Sequence, residues 1–250
     1  MTVLRCYLDW GNSRVKAWIC SEGAIAKAFS FLHALQPSRL FEVLPVEFTV
    51  PVASVSISSV LDDASNEHLA VLVKDHWGVE PEFAKSDALH AEVRNGYESP
   101  GALGIDRWLN ILAVSDFVSV CVVSCGTALT IDILRQRQHL GGYILPGMRM
   151  QVDALVQGTR RVRPAEPEEM SLAPGRSTEE AVYHGMLLSA VASIAHVYGQ
   201  LALQSDEPPA LILTGGDAHK LGTYLQIRHV IIPELLLRGL QRYFGHERLS

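Results

Sequence analysis

The chain has 250 residues, 48% hydrophobic and 19% charged, with a formal net charge of −6. That length buries a core without a disulfide or metal staple, and the composition is ordinary for a soluble α/β protein in one large domain or two small ones. A negative balance without a long basic run excludes the footprint of a nucleic-acid or anionic-membrane binder; the cluster of Arg160, Arg161 and Arg163 is too short to supply one.

The N-terminus enters a strand interrupted by Arg5 and Asp9, unlike a signal peptide. No apolar run approaches the roughly 20 residues of a membrane span. The expectation is a cytoplasmic protein with no membrane and no nucleic-acid partner. Cys6, Cys20, Cys121 and Cys125 lack CxxC spacing and read as reduced, buried thiols.

In chain order, Val3–Asp9 and Arg14–Cys20 read as a hairpin around a Gly-Asn turn signal. Ala24–Phe31 is a third strand, His33–Leu44 a helix, Pro51–Val60 a strand and Asp62–Trp77 an amphipathic helix. Val79–Ala84 is a short strand, Ala91–Gly101 a loop and Ala102–Phe117 a helix. Val118–Ser124 is a buried strand, Cys125-Gly126-Thr127 a turn, and Ala128–Leu134 and His139–Leu145 return strands. Pro146 fits the first turn of a helix to about Gln157. Thr159–Arg176, punctuated by prolines, is a mobile loop. Ser177-Thr178-Glu179-Glu180 is a capping box opening a long helix to Leu203. Pro209–Leu213 is a strand, Ala218–Leu225 a short helix, His229–Ile232 the last strand and Pro233–Tyr243 the closing helix.

Strand, glycine turn and return strand occur at Gly11 and again at Gly126, each followed by a third strand and helices. This weak repeat predicts two similar α/β halves, 1–117 and 118–250, with a cleft between them for a ligand.

The first turn combines Asp9, Gly11, Asn12, Ser13 and Lys16. A glycine lets backbone approach a phosphate, and successive turn N–H groups form an anion nest. Asp9 suits Mg²⁺, and Lys16 suits charge on a transferring phosphoryl group. Alone, this turn is no more than a solvated hairpin. The second turn offers Gly126 and Thr127, with Thr130 and Asp132 on one face of the return strand. The third, Thr214-Gly215-Gly216-Asp217, permits flat packing on a ribose or base, or is merely a tight connection. Asp106 and Arg107, near a helix start, suit a general base for a hydroxyl and a carboxylate ligand, or a structural ion pair. There is no P-loop, GxGxxG fingerprint or GxSxG elbow.

Six segments together resemble one family, the type III pantothenate kinases of the superfamily of acetate and sugar kinases, heat-shock chaperones and actin. They are LDWGNSRVK (8–16), VRNGYESPGALGIDRW (93–108), GTALTID (126–132), HLGGYILPGM (139–148), STEEAVYHG (177–185) and LTGGDA (213–218). The resemblance implies an α/β fold of two actin-like (ribonuclease H-like) halves with mixed sheets and ATP in the cleft. It implies phosphorylation of pantothenate on its primary hydroxyl, the first step of coenzyme A synthesis. Asp9, Gly11, Asn12 and Lys16 match the first phosphate motif; Gly126, Thr127 and Thr130 match the second. Tyr97, Gly104, Asp106 and Arg107 match the pantothenate segment, with Asp106 in the place of the catalytic base. Thr178 matches a threonine that reaches the pantothenate of the partner subunit. The resemblance further implies a homodimer and a monovalent cation, K⁺ or NH₄⁺. Ser124 stands where the family usually has aspartate at the cation position, which keeps an oxygen and loses a charge. Two other readings are a non-catalytic regulatory protein of the same family and a related kinase for another small hydroxy acid.

Overall fold

The structure is a computed structural model describing residues 3–32, 37–160 and 162–246. Arg161 and the first part of the helix expected over His33–Leu44 lie outside the described residues. The strands are β1 (Leu4–Trp10), β2 (Arg14–Ser21), β3 (Ala24–Leu32), β4 (Ser54–Ser59), β5 (Pro81–Phe83), β6 (Leu89–His90), β7 (Val93–Arg94), β8 (Ser119–Cys125), β9 (Ala128–Arg135), β10 (Gln138–Pro146), β11 (Ala210–Thr214) and β12 (Val230–Ile231). The helices are α1 (Leu40–Val43), α2 (Asp63–Trp77), α3 (Ile105–Ala113), α4 (Met148–Gly158), α5 (Thr178–Leu203), α6 (Ala218–Gly222) and α7 (Leu235–Tyr243).

The chain divides into two compact units, Met1–Ala113 with Leu236–Ser250, and Val114–Leu235. In the first, the sheet order is β3-β2-β1-β4-β5, antiparallel across β3, β2 and β1 and parallel from β1 to β4 and β5. Alternation splits its side chains between two faces. Cys6, Leu8, Trp10, Val15, Ala17, Ile19, Val55 and Ile57 form an apolar core with Leu69, Val73 and Trp77 of α2. Tyr7, Asp9, Ser56 and Ser58, at the alternate positions, are buried on the other face. Helix α2 starts where the Asp62 carboxylate accepts from Ser65 N and stops at Gly78, whose φ of 71° suits a residue without a Cβ.

The second unit repeats this arrangement, with the order β10-β9-β8-β11-β12 and the same alternation of antiparallel and parallel neighbours. Its core joins Cys121, Val123, Leu129, Ile131, Leu211 and Leu213 to Leu187, Ala190, Ile194 and Val197 of α5. All four cysteines are buried, and among the described residues none forms a disulfide. Burial pushes the Cys121 and Cys125 thiols up to about 12.

Three expectations need correction. The closing helix, read as part of the second half, belongs to the first unit from Leu236 onward. Gly239 lies against Leu109 of α3 where any Cβ would collide with its backbone, and Arg242 donates to the Leu112 carbonyl at 3.1 Å. Pro146 ends β10 instead of opening α4, whose N-cap is Gly147. An apolar stretch of membrane-span length does exist: α5 has 26 residues and a mean hydropathy of 1.5 in its most apolar window. The reason is that after Glu180 it carries no Asp, Glu, Lys or Arg. One face of it is core-packed against the sheet.

Candidate active site

In the first unit the site begins at the β1–β2 hairpin. Asp9 and Lys16 are register partners across the antiparallel pair, and Ser58 is the partner of Asp9 on the parallel side. The turn is closed by Gly11 N donating to Arg14 O at 3.1 Å. Asn12 and Ser13 lie exposed at its tip, and Gly11 and Lys16 are half-buried.

Asp9 is the unusual group. Burial pushes its carboxyl up to about 7, against the opposing pull of Lys16 and the Ser58 hydroxyl; the Asp106 carboxylate pushes it further up. Two carboxylates therefore share a field containing one lysine. One or two carboxylates are the donor set a divalent cation takes from a protein.

Asp106 lies in the first turn of α3, where Gly104 O accepts from Trp108 N at 3.0 Å. A Cβ on Gly104 would come within 2.8 Å of Asp106 Oδ1, so the carboxylate lies back over that glycine. Asp106 is half-exposed, as a proton acceptor for a ligand hydroxyl must be. Arg107, next to it, is buried. Its Nη1 donates to Tyr97 Oη at 2.7 Å, and its guanidinium lies 5.5 Å from the Tyr97 ring centroid. Tyr97 N in turn donates to Asn95 Oδ1 at 3.0 Å. The buried Asn95 amide also donates to the carbonyls of Asp87, at 3.1 Å, and Pro100, at 3.2 Å. Asn95 thus holds the segment carrying Tyr97. From the sequence Ala91–Gly101 is only a loop, and Asn95 has no role in it. Ser58 was likewise missed; its signal is the alternation of β4 beside Asp9.

In the second unit, Gly126 N donates to Ala128 O at 3.0 Å and closes the β8–β9 turn. Ser124 and Thr130 are register partners and share a face. Asp132, on the same face, is engaged by His139 Nε2 at 3.0 Å, and both are buried. Gly147 N donates to Thr127 O at 3.0 Å. A Cβ at Gly147 would collide with the carbonyl oxygens of Gly126 and Thr127. The N-terminus of α4 is thereby set against the turn, a placement that favours an anion there. Gly215 has a φ of 93° and abuts the Cys125 backbone, and Asp217 N donates to Cys125 O at 3.1 Å. So the turns at Gly126, Gly147 and Gly215–Gly216 are locked together. Gly147 and Asp217 were quoted from sequence only as parts of longer segments and were given no role of their own. Thr178 is exposed at the first position of α5, after the expected N-cap, Ser177 Oγ, which accepts from Glu180 N at 3.2 Å.

Among the described residues no cluster of three or more His, Cys, Asp or Glu side chains forms a ready-made metal cage. The chemistry on offer in the first unit is a carboxylate pair beside a lysine, and in the second a set of backbone N–H groups around glycine turns.

Solved structures share this architecture over nearly the whole chain. A Campylobacter jejuni protein assigned to the Baf transcriptional activator family aligns with a TM-score of 0.64 at 22% identity, over 97% of this chain and 98% of that one. The activator of 2-hydroxyisocaproyl-CoA dehydratase from Clostridium difficile, with bound ADPNP, gives 0.54 at 11% identity over 98% and 96%. MreB 5 of Spiroplasma citri, bound to AMPPNP, gives 0.51 at 10% identity over 96% of each. The fold is actin-like, in two α/β units with mixed sheets. Within it, a sequence model of the type III pantothenate kinase family matches residues 6–200. The type III pantothenate kinase of Acinetobacter baylyi is 41% identical over 96% of this chain and 98% of its own length. That of Chromohalobacter salexigens is 38% identical over 95% and 86%. The chain belongs to the type III pantothenate kinase family.

Proposed function

We propose that this chain transfers the γ-phosphoryl group of ATP to the primary hydroxyl of pantothenate, the first step of coenzyme A biosynthesis. The observation that carries the reading is the Asp9, Lys16 and Asp106 constellation of the first unit, in which Asp106 is close enough to raise the Asp9 pKa. Family membership supplies the substrates, and the constellation supplies the roles.

Asp106 accepts the proton as the pantothenate hydroxyl oxygen attacks the γ-phosphorus and the bond to the β,γ-bridging oxygen breaks, releasing ADP. Lys16 offsets charge on the transferring group. Gly11, Asn12 and Ser13 present backbone and side-chain donors to phosphate oxygens. Arg107, braced by Tyr97, holds the pantothenate carboxylate or a polar group beside it, and Gly104 leaves room for Asp106. In the second unit Gly126, Thr127 and Thr130 serve as phosphate donors, and Gly215 and Gly216 admit the adenosine. Positioning and charge stabilisation carry most phosphoryl-transfer catalysis.

Asp9 fits a Mg²⁺ ligand, because burial and the neighbouring Asp106 carboxylate make its charge costly even beside Lys16, and a bound cation would offset that cost. The ion would supply charge neutralisation at the phosphates. Ser124 marks the monovalent-cation position, where K⁺ or NH₄⁺ would meet neutral oxygens of Ser124 and Thr130, since Asp132 is engaged by His139. We read the assembly as a homodimer. Ala181, Gly185, Ala192 and Ala195 lie exposed along α5, and such small residues permit close helix approach. In this reading Thr178 reaches the partner subunit's pantothenate, and the enzyme works in the cytoplasm.

The test is turnover by the purified protein, read as ATP consumption and as the mass of the phosphorylated product, across pantothenate and a panel of small hydroxy acids. Pantothenate is expected to be phosphorylated, and Asp106→Asn to lower kcat by about 10²-fold or more with the fold retained. Turnover restricted to another hydroxy acid, or none at all, would sink the proposal.

A further inference from the structure

Residues 166–176 form no helix or strand, and their prolines suggest a mobile loop. They are instead fastened along their length to two helices of the second unit. Lys220 Nζ, on α6, donates to the Glu166 carboxylate at 2.7 Å. Just beyond α6, Tyr224 Oη donates to the Met170 carbonyl at 2.8 Å. On α5, His184 Nδ1 donates to the Ala173 carbonyl at 2.8 Å. The Glu180 carboxylate accepts from Arg176 N at 2.6 Å. Gly175 lies so close to the first turn of α5 that a Cβ would collide with the backbone of Glu180 and Ala181.

Two features separate this strap from an ordinary surface loop. First, at Met170 and Ala173 a helix or turn side chain grips a backbone carbonyl, so the path is set by the helices and not by the strap's own side chains. Second, the strap runs directly into Ser177 and Thr178, so wherever it is pinned, the entry to α5 is pinned too. His184 is the deepest of the tethers. It is 9% exposed, and among the described residues its Nε2 has no hydrogen-bond partner, so the bond to Ala173 is what ties the ring to the strap.

We propose that His184 is a positioning residue for the pantothenate end of the reaction. It holds the 166–176 strap against α5 and thereby fixes Thr178. This rests on the reading above that Thr178 contacts pantothenate. Contact by Thr178 acts equally on bound substrate and transition state, so its loss raises KM for pantothenate and leaves kcat unchanged. A strap that merely covers the apolar side of Met170 would, when loosened, change stability without that split.

The test compares His184→Phe, His184→Gln and Thr178→Ala by steady-state kinetics and by the rate of tryptic cleavage after Arg176. His184→Phe keeps the ring volume and loses the donor. It is expected to raise KM for pantothenate about fivefold, the worth of one hydrogen bond, with KM for ATP and kcat within about twofold, and to speed cleavage after Arg176. His184→Gln, which restores an amide donor, is expected to recover most of both. Faster cleavage with an unchanged KM for pantothenate overturns the proposal, as does an unchanged cleavage rate. Should His184→Phe not fold, Tyr224→Phe loosens the same strap at Met170 and is expected to move both readouts in the same direction; accelerated cleavage alone is again fatal. Thr178→Ala separates the two levels. An unchanged KM there defeats the role given to Thr178, whereas a raised KM in Thr178→Ala without one in His184→Phe defeats only the role given to His184.

Discussion

The carboxylate of Asp106 occupies the space that a side chain on Gly104 would need, with Oδ1 only 2.8 Å from where a Cβ would stand. The obstructing atom is the end of a flexible side chain and not backbone. Gly104→Ala should therefore fold, with a melting temperature within about 5 °C of wild type, and should displace the carboxylate. Small misplacements of a reacting group are costly in rate, so kcat is expected to fall about 10–100-fold. Kinetics together with a thermal melt check this. A wild-type kcat would mean that the position of Asp106 does not matter to the chemistry.

Asp9 should make stability depend on pH with an unusual sign. Its pKa is raised by burial from the ordinary carboxylate range to about 7 in the folded chain. Below pH 4 both folded and unfolded forms are protonated and the group contributes nothing. Between about 4 and 7 the unfolded chain gives up its proton while the folded chain keeps it, so stability falls as pH rises through that window. Above 7 the full cost of a buried charge is present. Asp9→Asn is expected to be inactive and yet more stable than wild type at pH 8, by about 2–4 kcal/mol, with the difference vanishing near pH 4. Denaturant titrations at the two pH values measure it. A constant difference would show that Asp9 titrates normally.

Gly147 and Gly126 should respond differently to the same substitution. A Cβ at Gly126 meets nothing nearer than Ala128 O at 3.7 Å, whereas one at Gly147 collides with two backbone carbonyls of the turn it packs against. Backbone cannot step aside as a side chain can. Gly147→Ala is expected to cost about 1–3 kcal/mol and to raise KM for ATP by distorting the Gly126–Thr127 turn. Gly126→Ala should leave stability nearly unchanged. Equal melting temperatures for the two variants would contradict this.

Tyr97→Phe removes the hydroxyl that receives the buried Arg107 guanidinium at 2.7 Å. The ring remains, and the loss includes a charge-assisted hydrogen bond. KM for pantothenate is expected to rise about fivefold with kcat little changed. A fall in kcat at constant KM would instead assign Arg107 to the transition state.

Elements framed by local signals were legible in the sequence. Asp62 and Gly78 bracket α2, Ser177 opens α5, and the Gly11 and Gly126 turns sit where the strand pattern breaks. Helix α3 was expected over 102–117 and spans Ile105–Ala113, because Pro100–Ala102 takes a separate 3₁₀ turn before Gly104. No Ser, Thr, Asp or Asn stands immediately before Ile105 to mark the start of α3 in the sequence. The site was legible only in part. Asp9 and Lys16 are local, seven residues apart on one hairpin, but nothing in their spacing brings Asp106 beside them. Only the family resemblance joined the three. Pro146 was read one element too late, as a helix start instead of a strand end, and the constraint on Gly147 escaped notice because it is contact with a turn distant in sequence. The strap was taken for a mobile loop because its restraints are supplied by side chains elsewhere, at His184, Lys220 and Tyr224.

The return of α7 to the first unit has a consequence for how the protein is made. Synthesis runs from the N-terminus, so Val114–Leu235 leaves the ribosome as an uninterrupted unit, while the unit carrying Asp9 and Asp106 must wait for Gly239, Arg242 and Tyr243. Residues of α7 lock against α3 and against Asp87. A nascent chain stalled before Gly239 already carries Asp9 and Asp106 but lacks the helix that packs behind the one bearing Asp106, so the first unit closes only after the second has been made.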